Sequence, residues 1–173
     1  MHREHRKIEE ISLAEKEAGE DPKGIAGWLI LVVIGLVVSP LRTLHALYEN
    51  HWLIIRDGIW PVLTTPGTEH YHPLWAPLFA FEVFANVGSV LLALIALALL
   101  LQKSRHAPRL AIVWLGWGVV FGVLDYVIAG QIPAVAEQSG SEAIRELSRS
   151  VAGAAIWIPY FLRSRRVKNT FVQ

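Results

Sequence analysis

Residues 90–101 read VLLALIALALLL, twelve consecutive positions without a polar side chain. The apolar stretch that contains them extends from about residue 74 to residue 102. At about 1.5 Å per residue, a helix of this length exceeds the roughly 30 Å thickness of the hydrocarbon core of a bilayer. The stretch predicts a transmembrane helix, because the run that closes it has no polar face to turn toward water.

Three further stretches have the length and composition of membrane spans. They lie at about residues 25–45, 109–130 and 143–163. The last is the weakest of them, since only residues 151–162 are continuously apolar. Ser139 followed by Glu142 has the spacing of a capping box, which predicts that this helix begins in a polar loop. The chain is therefore predicted to be an all-α, polytopic membrane helix bundle with four transmembrane helices.

The overall composition agrees with a membrane protein. Of the 173 residues 53% are hydrophobic and 18% are charged, whereas about 25% of the residues of a soluble domain are charged. The charges are grouped in blocks between the apolar stretches. The sequence has no cysteine, which excludes disulfides, thiolate metal sites and cysteine nucleophiles.

The distribution of Lys and Arg predicts the orientation. Residues 1–23, which we expect to be a charged cytoplasmic tail, hold five of them; residues 103–109 hold three, and the segment after residue 162 holds four. The alternate loops hold only Arg42, Arg56, Arg145 and Arg149. The positive-inside rule then places both termini in the cytoplasm. Residues 45–73 would form an outer loop at the membrane interface, since tryptophan and tyrosine are mixed with charges there.

Short motifs near both ends of the chain resemble a known family. They are GWL at 27–29, SPLR at 39–42, IWIPYFL at 156–162, Ser164, RVK at 166–168 and TFV at 170–172. This pattern resembles the domain-of-unknown-function 2569 family, whose members are small multi-span proteins of the bacterial inner membrane. The resemblance covers about residues 24–172. It implies a location in the bacterial inner (plasma) membrane, but no activity, substrate or catalytic residue.

A few ionisable and polar residues fall at membrane depth. Glu82 and Asn86 are one turn apart on the second predicted span, and Asp125 lies near the outer end of the third. Arg42, Arg145 and Arg149 reach the same level from the first and fourth spans. Because a charge exposed to lipid is costly, we expect these six residues to form a buried ion-pair network with Arg149 as the main cation.

Such a network has more than one interpretation. It could only fix the register and tilt of the helices. Alternatively, Glu82 and Asp125 could bind a proton, a cation or a polar headgroup in an outward-facing cavity. A third interpretation is that Glu82 extends outward to the interface.

The sequence gives little support for metals or cofactors. Glu69, His70 and His72, with His45 and His51 nearby, are weak candidates for a zinc or copper site, since their spacing matches no known site. No histidine lies within a predicted span, which disfavours a transmembrane haem with two histidine ligands. Phosphate-binding glycine loops are absent, and we expect no cofactor.

For function, the sequence favours a non-enzymatic helix bundle that acts through protein–protein contacts as an accessory or scaffold subunit. One alternative is a small oligomeric transporter or an ion- or proton-binding unit that uses Glu82, Asp125 and Arg149. The other is a lipid-modifying membrane enzyme with these carboxylates as general bases or metal ligands. Expected partners are membrane lipids and other membrane proteins or further copies of the chain. The basic run at residues 163–168 suggests a topology determinant rather than a nucleic-acid site.

Overall fold

The computed structural model describes residues 24–172, except for the side chains of residues 138–140. The predicted cytoplasmic tail at residues 1–23 lies outside the described residues. All the regular elements described are helical, which confirms the all-α prediction. They are α1 (Trp28–Leu47), a π-helical turn (Tyr48–Trp52), α2 (Leu53–Arg56), α3 (Ile59–Thr64), α4 (Trp75–Leu101), α5 (Ala107–Ala129), α6 (Pro133–Arg163) and α7 (Arg165–Thr170).

The first helix is longer than the sequence predicts. It begins at Trp28 and continues without interruption through α1, the π-helical turn and α2 to Arg56. The chain turns only at Gly58, which has φ of 70°, a left-handed conformation that glycine adopts without strain. The part of the predicted outer loop up to Arg56 is therefore helical.

The sixth helix also begins earlier than predicted. It starts at Pro133 rather than near Ser139, and Ile132 stands at its N-cap position. Proline suits the first turn of a helix, because the N–H that it lacks would have no intrahelical partner there. This preference, rather than the capping-box spacing, determines where α6 begins.

The four long helices pack in the order α1, α4, α5, α6. Helix α4 contacts both α1 and α5, and α6 packs along α5. The most deeply buried apolar side chains gather at the end of the bundle where α1 begins and α4 and α6 end. They include Leu29, Leu36, Ala96, Leu100, Phe161 and Val167.

Three helices are long and apolar enough to cross a membrane: the continuous helix Trp28–Arg56, α4 and α5. In the most apolar window of each, at most 22% of the residues are buried inside the protein, so most of the apolar side chains face outward. Soluble monomers expose apolar patches of only a few hundred Å². These helices are those of a membrane-embedded protein.

The predicted fourth span corresponds to α6, which differs from the other three. It has 31 residues, but it is not among the helices of sufficient apolar character in the described chain. The physical reason is its first half, which carries five charged side chains: Glu137, Glu142, Arg145, Glu146 and Arg149.

Candidate functional site

Helices α1 and α6 enclose an opening at the side of the bundle. Near one end of it, the rings of Trp28 and Trp157 meet edge to face with their centroids 6.2 Å apart. Near the other end, Nη2 of Arg42 lies 3.7 Å from Oε1 of Glu146. Between these two contacts is a cavity of about 710 Å³, lined mainly by α1, α5 and α6, with Asn50 of the π-helical turn and Ser89 of α4.

A second cavity of about 640 Å³ lies between α1, α4 and α5. Its lining includes His51, Glu82, Asn86 and Asp125. Both cavities also share Arg42 and Asp125, so they are neighbouring parts of one opening. The polar groups that the sequence places at membrane depth are thus not sealed in a packed core.

A histidine and a glutamate form the closest charged pair inside this opening. Nε2 of His51 lies 2.9 Å from Oε2 of Glu82. The approach is close, but its angle is not that of an aligned hydrogen bond, and Nδ1 of His51 also has no hydrogen-bond partner among the described residues. The contact is therefore electrostatic, and it is an ion pair only while the imidazole is protonated.

The π-helical turn positions His51. The turn interrupts the regular α-helix between Leu47 and Leu53, and such turns often occur at functional sites. It directs the His51 ring toward α4, where Phe79 lies 4.5 Å away between ring centroids. Only 6% of His51 is exposed, an unusual burial for a side chain that can be charged.

Asp125 on α5 completes the cluster. Its carboxyl group interacts electrostatically with both Glu82 and His51. Its Oδ1 atom is shielded from solvent and has no hydrogen-bond partner among the residues that the structure describes. An unsatisfied buried acceptor is uncommon, which makes the Asp125 carboxyl group a candidate for binding. We call His51, Glu82 and Asp125 the carboxylate–imidazole cluster.

The six residues predicted to form the network are only partly brought together. Glu82, Asn86, Asp125 and Arg42 line the second cavity, and Arg149 lines the first with Asp125 and Arg42. Arg145 lines neither cavity.

The ion pairs differ from those expected. Glu82 is paired with His51, and Arg42 is paired with Glu146. Arg149, the expected main cation, has no ion-pair partner within 4.0 Å among the described residues. The closest cation to the carboxylates is thus an imidazole.

The sequence does not predict the contact between His51 and Glu82, because the aromatic and charged residues at 45–73 favour an interfacial loop. A signal was present in the sequence, since no glycine or proline occurs between Leu41 and Asp57. Nothing in that stretch ends a helix. A first helix that continues to Gly58 includes His51, but the sequence does not show which residue of another helix it meets.

The weak metal candidates do not form a metal site with three ligands. No group of three or more His, Cys, Asp or Glu side chains that could hold a metal ion occurs in the described part of the chain. His72 instead accepts a hydrogen bond at Nδ1 from the backbone N–H of Leu74, at 3.3 Å. The carbonyl of His70 accepts one from the Trp75 indole, at 3.2 Å.

The two ends of the described chain meet at the opposite end of the bundle from this cluster. The backbone N–H of Gly24 donates a hydrogen bond of 2.9 Å to Oγ1 of Thr170, whose hydroxyl lies 3.4 Å from the carbonyl oxygen of Gly24. Val167 and Phe171 are buried beside Phe161, and Ser164 caps α7 through the N–H of Val167.

A family model described as a protein of unknown function, DUF2569, matches residues 22–172. The chain belongs to this family. The matched segment contains all the helices described above, and the motifs that carried the resemblance include Ser164, Thr170 and Phe171, which close the bundle. Neither the curated proteins nor the solved structures include a match to the chain.

Proposed function

We propose that this DUF2569 protein spans the bacterial inner membrane four times, with both termini in the cytoplasm. Three apolar helices support the first three spans, and α6 lies along α5 as a fourth span would. Glu142, Glu146 and Arg149 on α6 line the opening. A crossing α6 would therefore turn part of its charge toward the protein interior rather than toward lipid.

Within this placement, we infer that the protein binds a proton or a small cation at Glu82 and Asp125. The observation that supports this most directly is the carboxylate–imidazole cluster beside an open cavity. Two carboxylates and one imidazole leave at least one negative charge without a counter-charge. A bound proton or cation would neutralise it, and uncompensated charge at membrane depth is costly.

The other charged groups around the opening do not supply this counter-charge. Arg42 of α1 is engaged with Glu146 of α6. Arg149 of α6 lines the neighbouring cavity rather than the one that contains Glu82. The remaining groups of α4 that line the second cavity, Asn86 and Ser89, are neutral. The negative charge thus stays localised at Glu82 and Asp125.

The test is ion movement in proteoliposomes that contain a pH-sensitive dye and carry an imposed membrane potential. Wild-type protein should change the internal pH or take up a monovalent cation, and Glu82→Gln should abolish this response. Glu49→Gln is the matched control, since Glu49 is an exposed carboxylate on the π-helical turn that lines neither cavity. A wild-type response no larger than that of empty liposomes would contradict a transport role.

Binding without transport requires a separate measurement. Isotope-edited infrared difference spectra between pH 5 and pH 9 should show a carboxyl band that Glu82→Gln or Asp125→Asn removes and that Glu49→Gln retains. A spectrum unchanged by either site variant would exclude a proton site at this cluster.

The accessory or scaffold role predicted from the sequence remains a prediction. Purification in a mild detergent addresses it directly. A protein partner or a defined oligomer that survives purification would support this role, and a monomer without companions would count against it.

A further inference from the structure

The cavity between α1 and α6 is amphipathic along its length. At the end near the Arg42–Glu146 contact its lining is charged and includes Asp125, Glu142 and Arg149. Toward the Trp28–Trp157 contact the lining becomes apolar. The residues there are Leu31, Val32, Leu115, Trp157 and Phe161. The same cavity thus has a polar site at one end and a hydrophobic channel at the other.

The contacts between α5 and α6 give the relative depths of the charged groups. A Cβ atom on Gly118 would lie 3.3 Å from Oγ of Ser150, and one on Gly122 would lie 3.4 Å from Cδ1 of Leu147. Arg149 therefore projects from a level between Gly118 and Gly122. Asp125 lies about 9 Å further toward the polar end, at about 1.5 Å per residue. The backbone position of Arg149 is therefore deeper than that of Asp125.

The charges in the polar part are not balanced locally. Arg42 and Glu146 approach each other to 3.7 Å, whereas Arg149 has no ion-pair partner within 4.0 Å in the described chain. Oδ1 of Asp125 is a buried acceptor without a donor. A ligand with an anionic group beside Arg149 and a cationic hydrogen-bond donor beside the carboxyl group of Asp125 would match this distribution of charge.

We propose that the opening between α1 and α6 binds one membrane phospholipid with a zwitterionic headgroup that ends in a primary ammonium. The phosphate lies at Arg149, the ammonium donates to Asp125 and Glu142, and an acyl chain follows the apolar lining toward Trp157. In such a lipid the phosphate is nearer to the acyl chains than the ammonium is, and this order matches the order of the backbone positions of Arg149 and Asp125. The volume of about 710 Å³ falls in the range of roughly 300–1,000 Å³ that is usual for ligand pockets.

This proposal uses the membrane placement proposed above, but it does not depend on proton or cation binding at Glu82. Its test is native mass spectrometry of the delipidated protein titrated with phosphatidylethanolamine, phosphatidylcholine and phosphatidylglycerol. Phosphatidylethanolamine should bind most tightly. The quaternary ammonium of phosphatidylcholine has no N–H to donate, and phosphatidylglycerol has no cation.

Two charge variants test the headgroup site. Arg149→Gln should weaken binding of phosphatidylethanolamine by about tenfold or more, the usual loss when a charge-assisted contact is removed. Arg145→Gln is the matched control, because Arg145 lies one turn away on α6 and lines neither cavity. Equal weakening by both variants, or equal affinity of the wild type for all three lipids, would overturn the proposal.

Two glycine variants test the apolar channel proposed for the acyl chain, and neither changes a charge. Gly153 lines the cavity and has nothing within 4 Å of an added Cβ, so Gly153→Leu should fill the channel and abolish lipid retention. Gly116 has the same free space but lines neither cavity, so Gly116→Leu should retain the lipid. Retention by both variants would exclude this channel, provided that Gly153→Leu elutes as the wild type does.

The source of the headgroup is tested by competition. Free phosphoethanolamine should not displace the lipid at concentrations far above that of the lipid, because it lacks the acyl chain. Displacement at matched concentrations would show a soluble ligand and would contradict a lipid site. Glu82→Gln should retain the lipid and lose the ion response, which separates this proposal from the preceding one.

Discussion

The side chain of His51 determines how charge is distributed at the centre of the opening. An arginine at this position would be a permanent cation, whereas an imidazole carries a positive charge only when it is protonated. Only 6% of His51 is exposed, while 31% of the Glu82 side chain is accessible. Solvent or a ligand therefore reaches this pair at Glu82. The imidazole of His51 is buried and packs against Phe79.

Replacing His51 should cost stability through the carboxylates that it leaves behind. His51→Leu removes the cation beside Glu82 and Asp125, and we expect the free energy of unfolding to fall by about 1–3 kcal/mol, as for other groups left unsatisfied. The double variant His51→Leu/Glu82→Gln should recover part of this loss, because the uncompensated charge is gone. Unfolding by SDS in mixed micelles measures both values, and strictly additive losses would contradict the coupling.

An exposed pair provides the control for this experiment. Nε of Arg56 lies 2.7 Å from Oδ1 of Asp57, and the hydrogen bond from Arg56 lowers the pKa of Asp57 below its ordinary value. Both side chains are well exposed, and solvent screens such a pair strongly. Asp57→Asn should therefore leave the unfolding midpoint unchanged.

Among the helices, the contact between α4 and α5 is the most specific. Nε1 of Trp117 donates a hydrogen bond of 3.0 Å to the carbonyl of Ala85. The same indole lies over Gly88, where an added Cβ would be only 2.6 Å from Cζ2. Phe121 stacks on Trp117 with a centroid distance of 4.1 Å. The absence of a side chain at Gly88 is thus what lets the indole pack against α4.

Adding one methyl group at this contact should be disruptive. Gly88→Ala requires the Trp117 ring to move and its hydrogen bond to break, and overpacking of this kind costs about 1–3 kcal/mol. Thermal unfolding in detergent, followed by tryptophan fluorescence, should show a lower midpoint. Gly116→Ala on α5 meets nothing within 4 Å and should be neutral or slightly stabilising, since alanine favours a helix. A Gly88→Ala midpoint equal to that of the wild type would exclude this packing.

At the scale of the whole molecule, the two ends of the bundle have different roles. One end holds the apolar core, where Leu29, Leu100 and Phe161 meet and where Thr170 binds the backbone of Gly24. The other half holds the carboxylate–imidazole cluster and the polar part of the opening. The tightest packing and the contact between Gly24 and Thr170 lie away from the polar site, which leaves that site accessible.

The proposed topology predicts which introduced cysteines react in intact cells. The chain has no native cysteine, so each introduced thiol is unique. A membrane-impermeant maleimide should label Glu69→Cys before lysis, whereas Arg105→Cys and Lys168→Cys should react only after it. Labelling of Lys168→Cys in intact cells would exclude the fourth crossing. Protection of Glu69→Cys would contradict the proposed orientation.

The sequence by itself determined the helical class, the family and the bounds of α4 to within a residue. These follow from composition, local motifs and unbroken apolar length, which need no knowledge of neighbouring helices. It also identified Glu82, Asn86, Asp125, Arg42 and Arg149 as residues that need an interior environment, because charge in hydrocarbon is costly wherever it occurs. Their partners could not be found in the same way.

Only the tertiary structure decided which charges meet. Glu82 and His51 are far apart in the sequence, and their contact depends on a π-helical turn and on how α1 lies against α4. Ion pairing is a property of distance in space, and the depth that favours Arg149 in the sequence does not show that His51 is the group that meets Glu82. The opening between α1 and α6 likewise depends on the packing of α6 on α5 and on the Trp28–Trp157 and Arg42–Glu146 contacts with α1, an arrangement that no local pattern of residues encodes.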